Sequence, residues 1–214
     1  MLNEQLQLYI EDLIPERDSL LLEMERFAEL HHVPIMELTG IEAMLQLLRI
    51  QRSRKILEIG TAIGYSALRM ASAIPEVQIV TIERDIERLQ LAKQYIQRSK
   101  HSDRIILIEG DALEVEELVR PHAPFDAVFI DAAKGQYKKF FELYAKLLQD
   151  HGMIITDNVL FKGLVAQPDI PVKRTRNLVE KITGFNNWLM NHPDFDTVIL
   201  PVGDGVAVSK KRGE

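Results

Sequence analysis

Lys55-Ile56-Leu57-Glu58-Ile59-Gly60-Thr61-Ala62-Ile63-Gly64-Tyr65-Ser66 carries a run of strand-forming residues into a turn with two glycines, then into a helix-period stretch at 64–73. Similar apolar runs rich in β-branched residues follow at Val77–Ile82, Ile105–Ile108, Phe125–Ile130 and Gly152–Thr156, separated by helix-period stretches at 85–99, 111–120 and 136–149. Buried strands alternating with helices predict an α/β fold whose mostly parallel sheet is covered on both faces. Further on, a loop at 158–172 leads to a helix near 174–191. Thr197–Pro201 and Gly205–Ser209 then read as strands joined by a tight turn at Val202-Gly203-Asp204. Such a closing hairpin predicts at least one antiparallel strand. Before residue 54 the pattern is helical: Leu6–Leu13, Ser19–Leu30 after a break at Pro15, and Glu37–Arg49, with Ile41, Met44, Leu45, Leu47 and Leu48 along one face. Residues 1–50 are therefore expected to form a helical cap on a core spanning 51–214, the whole making one domain.

Composition narrows the function classes. With 46% hydrophobic and 27% charged residues over 214 positions, the chain is in the globular range and long enough to bury a core without staples. It contains no cysteine, which excludes a disulfide framework, a Cys-ligated metal site and a thiol nucleophile, and fits a reducing cytoplasm. No apolar run approaches the ~20 residues of a membrane span, and MLNEQLQLYIEDL has neither the basic start nor the apolar centre of a signal peptide, so a cytoplasmic protein without a membrane partner is expected. The net charge of −6 argues against a nucleic-acid partner only as an average. Residues 1–50 hold 3 basic and 10 acidic side chains, leaving 23 basic against 22 acidic for the other 164. The acidity belongs to the cap.

In an open α/β sheet, ligands bind beyond the carboxyl ends of the strands. Glycines at 60 and 64 let the backbone turn tightly and approach a ligand, and the helix that follows offers free N–H groups. An acid at 58 before G-x-x-x-G would repel a pyrophosphate and attract an ammonium or sulfonium cation, unlike the G-x-G-x-x-G of dinucleotide folds. Glu83, ending the second strand, is placed to accept from ribose hydroxyls. In Gly110-Asp111-Ala112 the carboxylate can accept from an adenine amino group, or Asp111 can simply cap a helix. Asp131 ends the fourth strand and Asp157-Asn158 the fifth. Adjacent strands lie about 4.8 Å apart, so these side chains can converge on an all-oxygen site for Mg²⁺, Mn²⁺ or Ca²⁺; taken singly, they are ordinary turn residues. Lys134 follows within a turn. Lys138, Lys139, Lys162, Lys173, Arg174 and Arg176 form a cationic rim suited to phosphates, whether of RNA or of a CoA thioester, or to plain solvation. His31-His32 lack metal-ligand spacing to another pair, and Trp188 and Phe185 read as packing residues.

These motifs resemble the metal-dependent class I O-methyltransferases of the catechol and caffeoyl-CoA type, over nearly the whole chain: Val33-Pro34-Ile35-Met36, the 57–66 loop, Glu83, Gly110-Asp111-Ala112, Phe129-Ile130-Asp131-Ala132-Ala133-Lys134 and Thr156-Asp157-Asn158. Within that family, 131–137, 157–163 and Asn187–Pro193 look most like the bacterial branch that methylates 5-hydroxyuridine in tRNA. The resemblance implies a Rossmann-like class I fold with a seven-stranded sheet and S-adenosylmethionine as donor. It places Met36 near the sulfonium, Ser66 at the amino-acid end of a loop that includes Glu58, Gly60, Thr61, Gly64 and Tyr65, Glu83 on the ribose, and Asp111 with Ala112 on the adenine. Asp131, Asp157 and Asn158 would hold a divalent cation, Mg²⁺ first, with Asp131 also near the cofactor. Lys134 occupies the position of the family's catalytic lysine, and a homodimer is implied as well. The expected substrate is wobble-position 5-hydroxyuridine in tRNA. The alternative is a small catechol or caffeoyl-CoA-like compound, since both present adjacent oxygens to one metal. The rivals are a nicotinamide-dependent oxidoreductase, disfavoured by the glycine spacing, and an RNA- or nucleotide-binding protein that keeps the fold without turnover.

Overall fold

The computed structural model describes residues 4–167 and 169–213. Three helices come first: α1 (Glu4–Leu13), α2 (Ser19–His31) and α3 (Leu38–Gln51). Asp18 caps α2 by accepting from the Leu21 N–H at 3.0 Å, and His32 ends it in the left-handed conformation. The alternating part follows as β1 (Lys55–Ile59), α4 (Tyr65–Ala73), β2 (Gln78–Glu83), α5 (Ile86–Arg98), β3 (Ile105–Glu109), α6 (Glu116–Val119), β4 (Phe125–Ile130), α7 (Tyr137–Tyr144), β5 (Leu148–Thr156), α8 (Lys173–Met190), β6 (Phe195–Leu200) and β7 (Val206–Lys211).

The seven strands form one sheet in the order β3-β2-β1-β4-β5-β7-β6. β1 to β5 are parallel, while β7 runs antiparallel to both β5 and β6. This is the expected class I methyltransferase topology, with a single reversed strand. Ile56, Leu57, Glu58 and Ile59 of β1 are fully buried, as a central parallel strand covered on both faces requires. Alternate residues feed two cores: Ile56, Ile79, Ala127 and Phe129 face α2 to α5, whereas Leu57, Val80, Val128 and Ile130 face α7 and α8. The chain leaves β1 toward β2 on one side and enters β4 on the other, so a crevice opens at the carboxyl ends of β1 and β4.

A partly buried polar network joins the cap to the first helix of the alternating part. The Tyr65 hydroxyl donates to Glu25 at 2.5 Å and accepts from Arg69 at 2.8 Å; Arg69 also pairs with Glu42, and Arg17 with Glu25 at 2.7 Å.

Three segments differ from the sequence-based expectation. The stretch 111–120 is not one helix: Asp111 accepts from the Leu113 N–H in a side-chain turn, and only Glu116–Val119 is α-helical, so Asp111 is no helix cap. β5 begins at Leu148, earlier than its apolar run, because Leu148 pairs with Phe125 across a register shift in β4. The 158–172 loop contains short-pitch turns over Phe161–Ala166, with left-handed backbone at Phe161, Lys162 and Gly163.

Candidate active site

A cavity of about 450 Å³ lies in the predicted crevice, lined by Gly60, Glu83, Asp111, Ala112, Asp131, Lys134 and Asn158, with Pro34 from the cap and Leu178 from α8. The backbone ladder brings the strand ends together: the Asp131 N–H donates to the Ile59 carbonyl at 2.9 Å, and the Asp157 N–H to the Ile130 carbonyl at 3.1 Å. Gly60 has φ +103°, in the region where only glycine is unstrained.

Glu83 is 8% exposed and already used by the backbone. One oxygen accepts from the Ala62 N–H at 2.8 Å, the other from the Arg84 and Asp85 N–H groups at 2.9 Å each. These bonds fix the carboxylate while leaving lone pairs toward the cavity. At Asp111, the Leu113 N–H and the Arg84 guanidinium, 3.1 Å away, hold the carboxyl below its usual range. Arg84 and Arg88 line the same wall, and no sequence motif marks either of them. A cation directly after a strand-end acid looks like ordinary surface charge.

The remaining cofactor candidates do not line the cavity. Glu58 is fully buried and accepts from the Ser66 and Thr81 hydroxyls; burial nevertheless pushes its pKa up to about 7. It therefore supports the loop from beneath instead of facing a cation across the cavity. Thr61 and Thr81 share a hydrogen bond of 2.6 Å within the same buried group. Gly64 sits against Ala92 of α5, Tyr65 turns to Glu25, and Met36 is buried in the cap core.

Asp131, Lys134, Asp157 and Asn158 do converge. Lys134 Nζ donates to Asn158 Oδ1, and Asn158 Nδ2 donates to Asp157 Oδ2 at 3.1 Å. Burial raises the pKa of both carboxyls; Lys134 opposes the rise, while Asp204, a residue read only as part of a turn, adds to it. Burial likewise lowers the Lys134 pKa against the pull of the three acids. Asp204 is 8% exposed and caps the Lys162 N–H with its side chain. The Tyr137 hydroxyl donates to the Asp157 carbonyl at 2.9 Å, and Asn186 Nδ2 to the Val159 carbonyl at 2.8 Å. Neither Asp204 nor Asn186 belongs to a motif, since each acts on loop backbone.

Among the described residues no group of three His, Cys, Asp or Glu is poised to hold a metal. The donor set is instead two carboxylates and an amide oxygen. It fits a hard divalent cation in donor type, since all three donors are oxygens and two of them are acidic.

Of the expected cationic rim, none of the six residues lines the cavity. Lys138 lies over the Trp188 ring, 5.1 Å from its centroid, and near Glu142, on the outer face of α7 and α8. The Arg176 guanidinium turns back to the Ile170 and Pro171 carbonyls. Lys173 and Arg174 are exposed in the first turn of α8, which holds no acid. Lys139 is exposed on α7, and Lys162 sits in the turn capped by Asp204. Phe185 is core, stacked against Trp188.

The sheet order, the crevice and the strand-end acids define a class I methyltransferase. The chain belongs to the O-methyltransferase family, whose model matches residues 12–212. It is similar to a solved Staphylococcus aureus protein provisionally assigned as a caffeoyl-CoA O-methyltransferase, at 38% identity and a TM-score of 0.92 over 98% of this chain and 100% of that one. The O-methyltransferase TomG of Streptomyces achromogenes, solved in complex with SAM, matches at 26% identity and a TM-score of 0.83 over the whole of both chains. Caffeoyl-CoA O-methyltransferase 1 of Eucalyptus globulus is 29% identical over 205 residues, covering 92% of this chain and 83% of that protein. No described helix is long and apolar enough to cross a membrane.

Proposed function

We propose that the protein transfers a methyl group from S-adenosylmethionine to a hydroxyl that has a second oxygen beside it, with a divalent cation held by Asp131, Asp157 and Asn158. The observation that carries this reading is the convergence of those three side chains and Lys134 beside a cavity that Glu83 and Asp111 also line. Glu83 would take the ribose and Asp111 with Ala112 the adenine. The loop from Gly60 to Ser66, supported by Glu58, would hold the methionine end, with Met36 behind it. In the reaction the sulfur–methyl bond breaks as the oxygen–methyl bond forms. The sulfonium electron pair stays on sulfur, and the hydroxyl must lose its proton. A bound Mg²⁺, Mn²⁺ or Ca²⁺ supplies positive charge that favours the ionised hydroxyl. Lys134, hydrogen-bonded to the ligand candidate Asn158, would receive that proton or stabilise the oxyanion; burial favours the neutral form that the first role requires. To free Asn158 Oδ1 as a ligand, Lys134 Nζ must leave that oxygen.

For the substrate we favour 5-hydroxyuridine at the wobble position of tRNA, whose 5-hydroxyl and 4-carbonyl are adjacent oxygens. Support comes from Lys173, Arg174 and Arg176 in the first turn of α8. Cations there oppose the helix dipole, and the turn holds no acid to pair with Lys173 or Arg174, which suits an anionic partner. A catechol or caffeoyl-CoA-like substrate is the second reading, favoured by the name of the Eucalyptus relative. Comparing kcat/KM on hypomodified tRNA, a catechol and caffeoyl-CoA decides between them; a wide margin for either small molecule overturns the RNA reading. A cytoplasmic homodimer completes the proposal, supported by the exposed Leu6, Tyr9 and Leu13 of α1 and tested by light scattering on the purified protein.

A further inference from the structure

We infer that Asn186 of α8 is a positioning residue for the 157–162 turn and thereby sets the affinity of the candidate metal site. The inference rests on the metal-assisted reading above. Asn158 has φ +57° and Val159 is fully buried, so this stretch can neither continue the sheet nor turn its polar backbone to water. Its groups are held one by one from distant parts of the chain. Tyr137 holds the Asp157 carbonyl, the Gly205 carbonyl takes the Val159 N–H at 3.0 Å, the Asp204 carbonyl takes the Leu160 N–H at 3.0 Å, and the Asp204 side chain takes the Lys162 N–H. The Val159 carbonyl, directly after Asn158, is met by Asn186 Nδ2 at 2.8 Å.

The other half of that amide is informative. Asn186 Oδ1 is shut off from solvent and has no partner among the described residues. An unsatisfied buried oxygen costs stability, so the amide at 186 is useful for its donor and not for its acceptor. Phe185 on the same helix packs 5.4 Å from the Tyr137 ring, and Leu178 lines the cavity. One helix therefore fixes both the residue that holds the Asp157 carbonyl and the carbonyl that follows Asn158. Groups hydrogen-bonded directly to a metal ligand typically change metal affinity about 10–100-fold when removed, and Asn186, which acts on the residue after the ligand, is expected at the lower end of that range.

The test compares wild type with Asn186→Leu, which keeps the shape and discards both polar atoms, and with Asn186→Asp, which turns an acceptor toward the Val159 carbonyl. Mn²⁺ binding is followed by electron paramagnetic resonance without substrate, S-adenosylmethionine binding by calorimetry, and folding by thermal melting. Mn²⁺ affinity is expected to fall about 10-fold in both variants, with cofactor affinity and the Asn186→Leu melting point close to wild type. Unchanged Mn²⁺ affinity in the variants overturns the inference and leaves the metal reading standing. Parallel losses of Mn²⁺ affinity, cofactor affinity and melting point in both variants overturn it in favour of a purely structural role. A wild-type protein that binds no Mn²⁺ overturns the metal reading, and this inference with it.

Discussion

Residue 60 faces the Asp131 carbonyl so closely that a β-carbon on it would lie 2.1 Å from that oxygen. The turn after β1 and the acid after β4 are thus fitted to one another by the absence of a side chain. Gly60→Ala must either push the end of β4 away or abandon its φ of +103°. The expected result is a loss of roughly 1–3 kcal/mol in stability and a larger loss of cofactor affinity, read by urea unfolding and by calorimetry. Wild-type affinity in this variant would show that the turn does not shape the cavity.

Asp157→Ala removes a ligand candidate that is distant from Glu83 and Asp111. Methyl transfer is expected to fall at least ~10³-fold while S-adenosylmethionine still binds, and excess chelator should do the same to wild type. Radiolabelled methyl transfer measures the first effect and calorimetry the second; turnover that survives the substitution would sink the metal assignment.

Glu58 makes stability depend on pH in an unusual direction for a carboxyl. Its ordinary value is 4.5 and its folded value about 7, so the folded protein holds one proton more than the unfolded chain between those limits. Stability therefore falls as pH rises from 4.5 to 7 and levels off above. At about 1.4 kcal/mol per pH unit the contribution is on the order of 3 kcal/mol. Glu58→Gln, a neutral isostere, is expected to remove this slope. Urea titrations of both proteins at about pH 5 and about pH 8 check it, and parallel pH dependence would mean that the carboxyl stays ionised.

Reversing Lys173, Arg174 and Arg176 to Glu is expected to lower kcat/KM on tRNA and leave catechol turnover unchanged. The slope of log affinity against log salt should shrink by roughly 0.7–0.9 for each phosphate that no longer meets a cation. Equal effects on both substrates would place these residues in the folding of α8 instead of on an RNA surface.

Much of this is legible in the chain because burial and strand propensity agree. Ile56-Leu57-Glu58-Ile59 and Phe129-Ile130 read as central strands, and they are fully buried. The acids that end those strands can be placed from sheet geometry alone. Glu58 is legible as a special acid but not in its place: alternation within a buried strand sends every second residue beneath the loop, and there Ser66 and Thr81 wait for it. Linear charge counting overstates the rim, since it ignores the ring and the acid that stand beside Lys138. Asp204 and Asn186 escape a sequence reading because the groups they hold are backbone, which no motif spells.

The position of β7 has a consequence for how the protein is made. Residues 204–211 are translated after β6 yet lie between β5 and β6, and Asp204 ties down the turn that follows Asn158. A chain cut before residue 204 keeps β6 without the strand it pairs with and leaves the turn after Asn158 unanchored. Such a truncation is therefore expected to lose methyl transfer even though every residue lining the cofactor cavity is still present, which an assay of the shortened chain checks.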